Sequence, residues 1–305
     1  RPVDLVEVEP ILSLAKSELD SGGSFEAALR LALKAVLCSP EFLFLEEPGG
    51  DVISQHALAS RLSYFLWSSM PDDELLSLAV AGSLDDPVIL RGQVDRLLSS
   101  PKANAFTVNF TDQWLNLKDI DFTTPDQKLY PEFDELLKIS MVEETQQFFQ
   151  EMLREDLSVM NIVDSEFLIV NERLAKHYGI GGVEGQEFRK VTVPADSVRG
   201  GIMTQASVLK ITANGSNSSP VIRGIWVLEN VMGTPVPPPP PNIPTVEPDI
   251  RGTTTLAEQL AKHRNTNSCA ICHAKIDPAG FALENFDVIG GWRDDYRTLG
   301  EGRRP

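Results

Sequence analysis

Cys269-Ala270-Ile271-Cys272-His273 is the stretch whose residue types and spacing could do chemistry. Two cysteines two residues apart, followed at once by histidine, form the attachment signature of c-type haem. Each thiol adds across one vinyl group of the porphyrin, and the adjacent imidazole reaches the iron from the proximal face. The protein then tunes the iron through ligand identity, burial and hydrogen bonds to the ligands. Paired cysteines also occur in redox dithiols and zinc sites. A zinc site needs a second ligand pair, and the remaining cysteine, Cys38, lies far upstream among apolar residues. A redox dithiol belongs beside a βαβ pattern, which this sequence lacks.

A bound haem iron has a sixth position to fill. His177, at the end of a helical segment, is the first candidate; the competing reading is a histidine whose charge meets a helix C-terminus. Met203 and Met232 are alternatives that would raise the potential, although methionine at helical spacing also fills cores. His263 reads as a propionate contact or an exposed position, and His56 as surface. Phe281, Leu283 and Phe286 read as an apolar wall for one edge of the macrocycle, with Pro278 and Gly280 imposing a turn beside the histidine. Arg223, with Arg199 and Arg293, suits haem propionates, since guanidinium binds carboxylates in a bidentate fork; the alternative is ordinary ion pairing. Trp226 and Trp292 could pack on porphyrin or fill core.

The elements that must position these residues are mostly helices. Gly22-Gly23 divides two helices over 9–45, and Ser24 can cap the second. A third carries Leu58, Leu62, Phe65 and Leu66 on its inward face. Asp86-Pro87 and Ser100-Pro101 are cap-then-proline starts. A long helix runs from Pro131 to about Arg154 with Leu137, Met141, Thr145, Phe148 and Met152 inward, and Asn171 caps a short one ending at His177-Tyr178-Gly179. Glu187 to Val193 could add a small β element; helices follow within 200–209 and 220–232. Prolines between 235 and 248 predict an extended strap, leading to a helix over 254–264 and the motif. The expected fold is mainly α: a helical domain over 1–180, a mixed segment over 181–250 and a haem-binding segment over 251–305.

The sequence has 305 residues and a formal net charge of −17, which argues against nucleic acid or anionic membrane as partner. No apolar run approaches the ~20 residues of a membrane span. The opening Arg1-Pro2-Val3-Asp4 predicts a processed or truncated N-terminus. Cys38 reads as a small buried apolar side chain.

Several longer stretches carry a resemblance. They include Ser39-Pro40-Glu41-Phe42-Leu43, Ala59 to Trp67, Asn171 to Ile180, Arg199-Gly200-Gly201-Ile202-Met203-Thr204-Gln205 and Ser219-Pro220-Val221-Ile222-Arg223-Gly224. With the proline run and the Cys-x-x-Cys-His motif with its Asp277-Pro278 tail, they cover nearly the whole chain. The sequence resembles the planctomycete-type cytochrome c proteins, secreted bacterial proteins built of adjacent domains of unknown function. The resemblance implies one covalent haem c, through Cys269, Cys272 and His273, in an extracytoplasmic protein. Three functions are compatible with it: electron transfer to or from a protein partner, a haem enzyme with an open distal position, or a haem-bearing docking subunit of a larger redox complex. Electron transfer is the favoured expectation, because no distal histidine–arginine pair stands out.

Overall fold

A computed structural model describes residues 3–44, 53–238 and 267–297. The proline run beyond 238, the expected helix over 254–264 and His263 lie outside them. The chain forms two compact units, 1–106 and 107–305. Among the described residues the fold is mainly helical, with a single two-stranded sheet.

The first unit begins with helices α1 (Leu5–Asp20) and α2 (Phe25–Leu37), joined through Gly22 at φ +90°. Asp4 and Glu7 form a capping box on α1, and the Ser24 side chain caps α2. The helical spacing of α2 is as read, yet only Ala28 is buried there. Cys38 is exposed, not buried, because it sits just past the C-terminal turn of α2. After α3 (Pro40–Leu43), a second apolar cluster forms from α4 (Gln55–Trp67), α5 (Asp73–Ala81) and α6 (Pro87–Leu98). Its centre is Ala59, Leu66, Trp67, Leu75, Leu84 and Leu97. Phe65 departs from the expected inward face. It falls off the Ala59–Ser63–Leu66 stripe, is 61% exposed and meets Phe106 at 5.0 Å. Asp72 caps α5 and takes a fork from Arg96 at 2.7 and 3.0 Å; the Arg96 hydrogen bond holds its carboxyl below the ordinary value.

The second unit is built on the part of α7 (Asn104–Leu115) from Thr107 onward and on α8 (Glu135–Arg154). Every residue expected inward on α8 is buried. Strand β1 (Phe167–Val170) pairs antiparallel with β2 (Arg189–Thr192), Phe167 opposite Thr192. Between the strands stands α9 (Glu172–Tyr178), capped by Asn171 and closed by Gly179 in the left-handed region at φ +71°. Helices α10 (Ala206–Ile211) and α11 (Pro220–Trp226) follow, the latter continuing as a π-helical turn over Val227–Val231.

The helix bearing the cysteine–histidine motif is α12 (Asn267–Phe281). Pro278 does not impose the expected turn; the helix runs through it. Proline removes one N–H and crowds the carbonyl four residues back, at Ala274. Ala274 is exposed, so its carbonyl has water as an alternative partner. Gly280 serves contact rather than turning. A Cβ there would lie 1.7 Å from the Pro220 carbonyl oxygen, and one at Gly224 would lie 2.2 Å from that of Ile276. Helices α11 and α12 therefore meet backbone to backbone, each supplying a glycine. Gly280→Ala is expected to destabilise the protein by about 3 kcal/mol, the upper range of overpacking, read as a lower urea midpoint at unchanged slope. Gly92→Ala on α6, where a new Cβ meets nothing within 4 Å, should instead gain about 0.5–1 kcal/mol. Equal effects at the two sites would contradict the helix crossing.

Candidate functional site

Residues three and four apart on a helix share a face. Cys272 and His273 thus lie one turn beyond position 269. The Cys272 thiol is free and exposed, and Ile271 beside it is 70% exposed. His273 points inward: its side chain is 12% exposed and that of Asp277 is 5% exposed, with Nδ1 2.8 Å from Asp277 Oδ1. A carboxylate only accepts, so Nδ1 donates in this contact; in a neutral imidazole the lone pair is then on Nε2. In the sequence Asp277 figures only in the tail that carries the resemblance, with no role assigned. The signal available was an acid four residues after the histidine.

The chain after α12 enters the core. Leu283 and Phe286 pack with Leu115, Phe148, Ile202, Leu209 and Trp226. Phe281 is half-buried, and the ring of exposed Trp292 stands edge-on to Phe286 at 5.3 Å. Arg223 is 1% exposed. Its Nη1 donates to the carbonyls of Leu283 and Phe286 at 2.8 and 2.6 Å, and its Nη2 to those of Asp287 and Leu209 at 2.8 and 3.3 Å. Burial lowers its pKa to about 10, leaving it charged at neutral pH. Arg199 donates to the Gly290 and Thr204 carbonyls, both at 2.6 Å, and lies 3.4 Å above the Tyr178 ring. Arg293 binds Glu284 Oε1 at 2.7 Å, an oxygen that also accepts from Ser218 and Tyr296. The three arginines considered for propionates are thus engaged with protein atoms.

His177 is half-buried, its Nε2 2.8 Å from the Ile289 carbonyl oxygen, to which it must donate. Met203 packs at the margin of the core, and Met232 is 63% exposed. His56 is half-buried, and Trp226 donates from Nε1 to the Leu115 carbonyl at 3.2 Å. The structure thus brings Cys272 and His273 together on one helix. It sets Arg223, Leu283 and Phe286 in the core.

A buried polar cluster accompanies these contacts. The Tyr178 hydroxyl donates to Glu144 Oε2 at 2.5 Å and accepts from the Ala206 N–H at 2.9 Å. Next along α8, Thr145 bonds Gln205 Oε1 and Ser207 Oγ, both at 2.6 Å. Glu144 Oε1 and Gln205 Nε2 are buried without a hydrogen-bond partner. The sequence signal for this cluster was an acid inside the inward stripe of α8.

Burial pushes the Glu144 carboxyl up to about 8, against the opposing Tyr178 hydrogen bond, and brings His177 down to about 4. Both groups are therefore neutral at pH 7. A carboxyl raised on folding makes stability fall as pH rises from 4.5 to about 8. An imidazole depressed on folding makes stability rise between about 4 and 6.5. The two slopes cancel between 4.5 and 6.5, and the Glu144 contribution then stands alone up to about 8. Its slope is about −1.4 kcal/mol per pH unit. Glu144→Gln is expected to remove that decline relative to the wild type in urea titrations between pH 6.5 and 7.5. A parallel pH dependence in the two proteins would show Glu144 ionised.

Comparison with known protein families gives three adjacent matches. PSD5, a protein of unknown function (DUF1595), covers 1–47; PSD4, a protein of unknown function (DUF1592), covers 53–180; and PSCyt3, a protein of unknown function (DUF1588), covers 199–296. No curated protein and no solved structure matches the chain. No helix among the described residues is long and apolar enough to cross a membrane. The three adjacent domains fit the planctomycete-type cytochrome multidomain family.

Proposed function

We propose that the chain is an extracytoplasmic monohaem c-type cytochrome that exchanges electrons with a protein partner. The haem would be held through Cys269 and Cys272, with His273 as proximal ligand. The observation that carries this reading is the 2.8 Å contact from His273 Nδ1 to Asp277, on the helix that bears both cysteines. It gives the Nδ1 proton an acceptor, and in the neutral imidazole Nε2 would then be the nitrogen left to bind iron.

The residues present fit the group. The exposed Cys272 thiol is accessible for thioether formation, and exposed Ile271 offers apolar surface alongside it. Haem would supply a one-electron iron couple. The chain's own residues hold His273 in one orientation: Asp277 anchors the imidazole, and the Gly224–Gly280 crossing fixes the helix carrying both. The cytochrome-related name of the PSCyt3 match agrees with this reading. Covalent attachment of haem takes place outside the bacterial cytoplasm, which gives the compartment. The net charge of −17 favours a partner with a basic docking face.

The test is expression with a c-type maturation system, followed by haem staining after denaturing electrophoresis. Wild-type protein should keep its haem through denaturation. Cys269→Ala with Cys272→Ala should lose it, and each single variant should show the absorption shift of a haem with one unreacted vinyl group. Wild-type protein without covalent haem would overturn the proposal.

A further inference from the structure

We infer that Asp277 is a positioning residue acting through His273: its carboxylate strengthens the imidazole as an electron donor and so draws the haem potential down. The inference rests on the haem reading above and concerns how the chain sets that site.

A proximal histidine needs only some acceptor for its Nδ1 proton, and a main-chain carbonyl would serve. Here the acceptor is an anionic side chain, at 2.8 Å, on the next turn of the same helix. Hydrogen bonds to an ionised acceptor are roughly twice as strong as neutral ones. Both partners are largely removed from water, at 12% and 5% side-chain exposure, so solvent screening is weak. The pair is held from outside itself. Ile276, adjacent to Asp277, is 4% exposed and its backbone lies against Gly224, while Gly280, three residues on, lies against Pro220. The Asp277 side chain therefore projects from a stretch of helix whose backbone is held against α11. An imidazole whose proton is drawn toward a carboxylate is the stronger donor. A stronger donor stabilises ferric over ferrous iron, so the potential falls.

Asp277→Asn keeps an oxygen acceptor of the same size and removes the charge. The experiment is a spectroelectrochemical titration of holoprotein, wild type against D277N, with far-ultraviolet circular dichroism to compare the folds. The expected result is intact helicity, covalent haem in both proteins, and a midpoint potential higher in D277N. A tenfold change in the ferric–ferrous equilibrium corresponds to about 59 mV for one electron. Asp277→Glu should restore most of the wild-type value, which a merely structural role would not require. A second measurement needs no variant. In wild-type protein labelled with 15N-histidine, long-range proton–nitrogen spectra should assign the His273 proton to Nδ1. A haem-bearing D277N with the wild-type potential, or a His273 proton on Nε2 in the unloaded protein, would overturn this inference and leave covalent haem untouched. Wild-type protein without haem would overturn both.

Discussion

A guanidinium withdrawn from water needs acceptors for its N–H groups, and the two terminal nitrogens of Arg223 find them in main chain while its buried Nε finds none. Four carbonyls, three of them between Leu283 and Asp287, converge on its two terminal nitrogens. Removing one partner of a buried charged group typically costs 3–5 kcal/mol, so this side chain is a strong anchor for the path of the chain after α12. Its neighbour Gly224 completes the constraint by letting α11 touch the backbone of α12 at Ile276. Together they fix where the cysteine-bearing helix lies and which way Asp277 and His273 project.

The other stretches that support the family resemblance reach the same segment. Arg199 holds the Gly290 carbonyl, and His177 holds that of Ile289. Tyr178 links α9 to Glu144 and to the start of α10. Asp287 accepts from the N–H groups of Ile289 and Gly291 and lies 3.0 Å from Arg297. Much of the second unit thus serves to immobilise the residues that follow the motif.

Local signals were legible in the sequence. The caps at Ser24, Asp86, Ser100 and Asn171, and the inward stripe of α8, follow from side-chain hydrogen bonding and helical period alone. Strand β1 was not legible: Phe167 to Val170 is buried on both faces, and four apolar residues carry no alternation. Pro278 misled because its effect depends on whether the Ala274 carbonyl can reach water. The partners of the arginines were not legible either. A guanidinium suits a ligand carboxylate, a protein carboxylate or a main-chain carbonyl alike, and only tertiary packing chooses. Asp277 was readable in principle, since its spacing from His273 is local. Glu144 was readable only as an anomaly, a carboxyl on an apolar stripe.

The measurement that reaches the centre of this description is the visible spectrum of purified holoprotein, oxidised and dithionite-reduced, with and without carbon monoxide. Electron transfer through a six-coordinate iron requires sharp reduced bands that carbon monoxide leaves unchanged. A reduced spectrum that shifts on adding carbon monoxide would reveal an open axial position, contradict simple electron transfer and move the function to ligand or substrate chemistry at the iron.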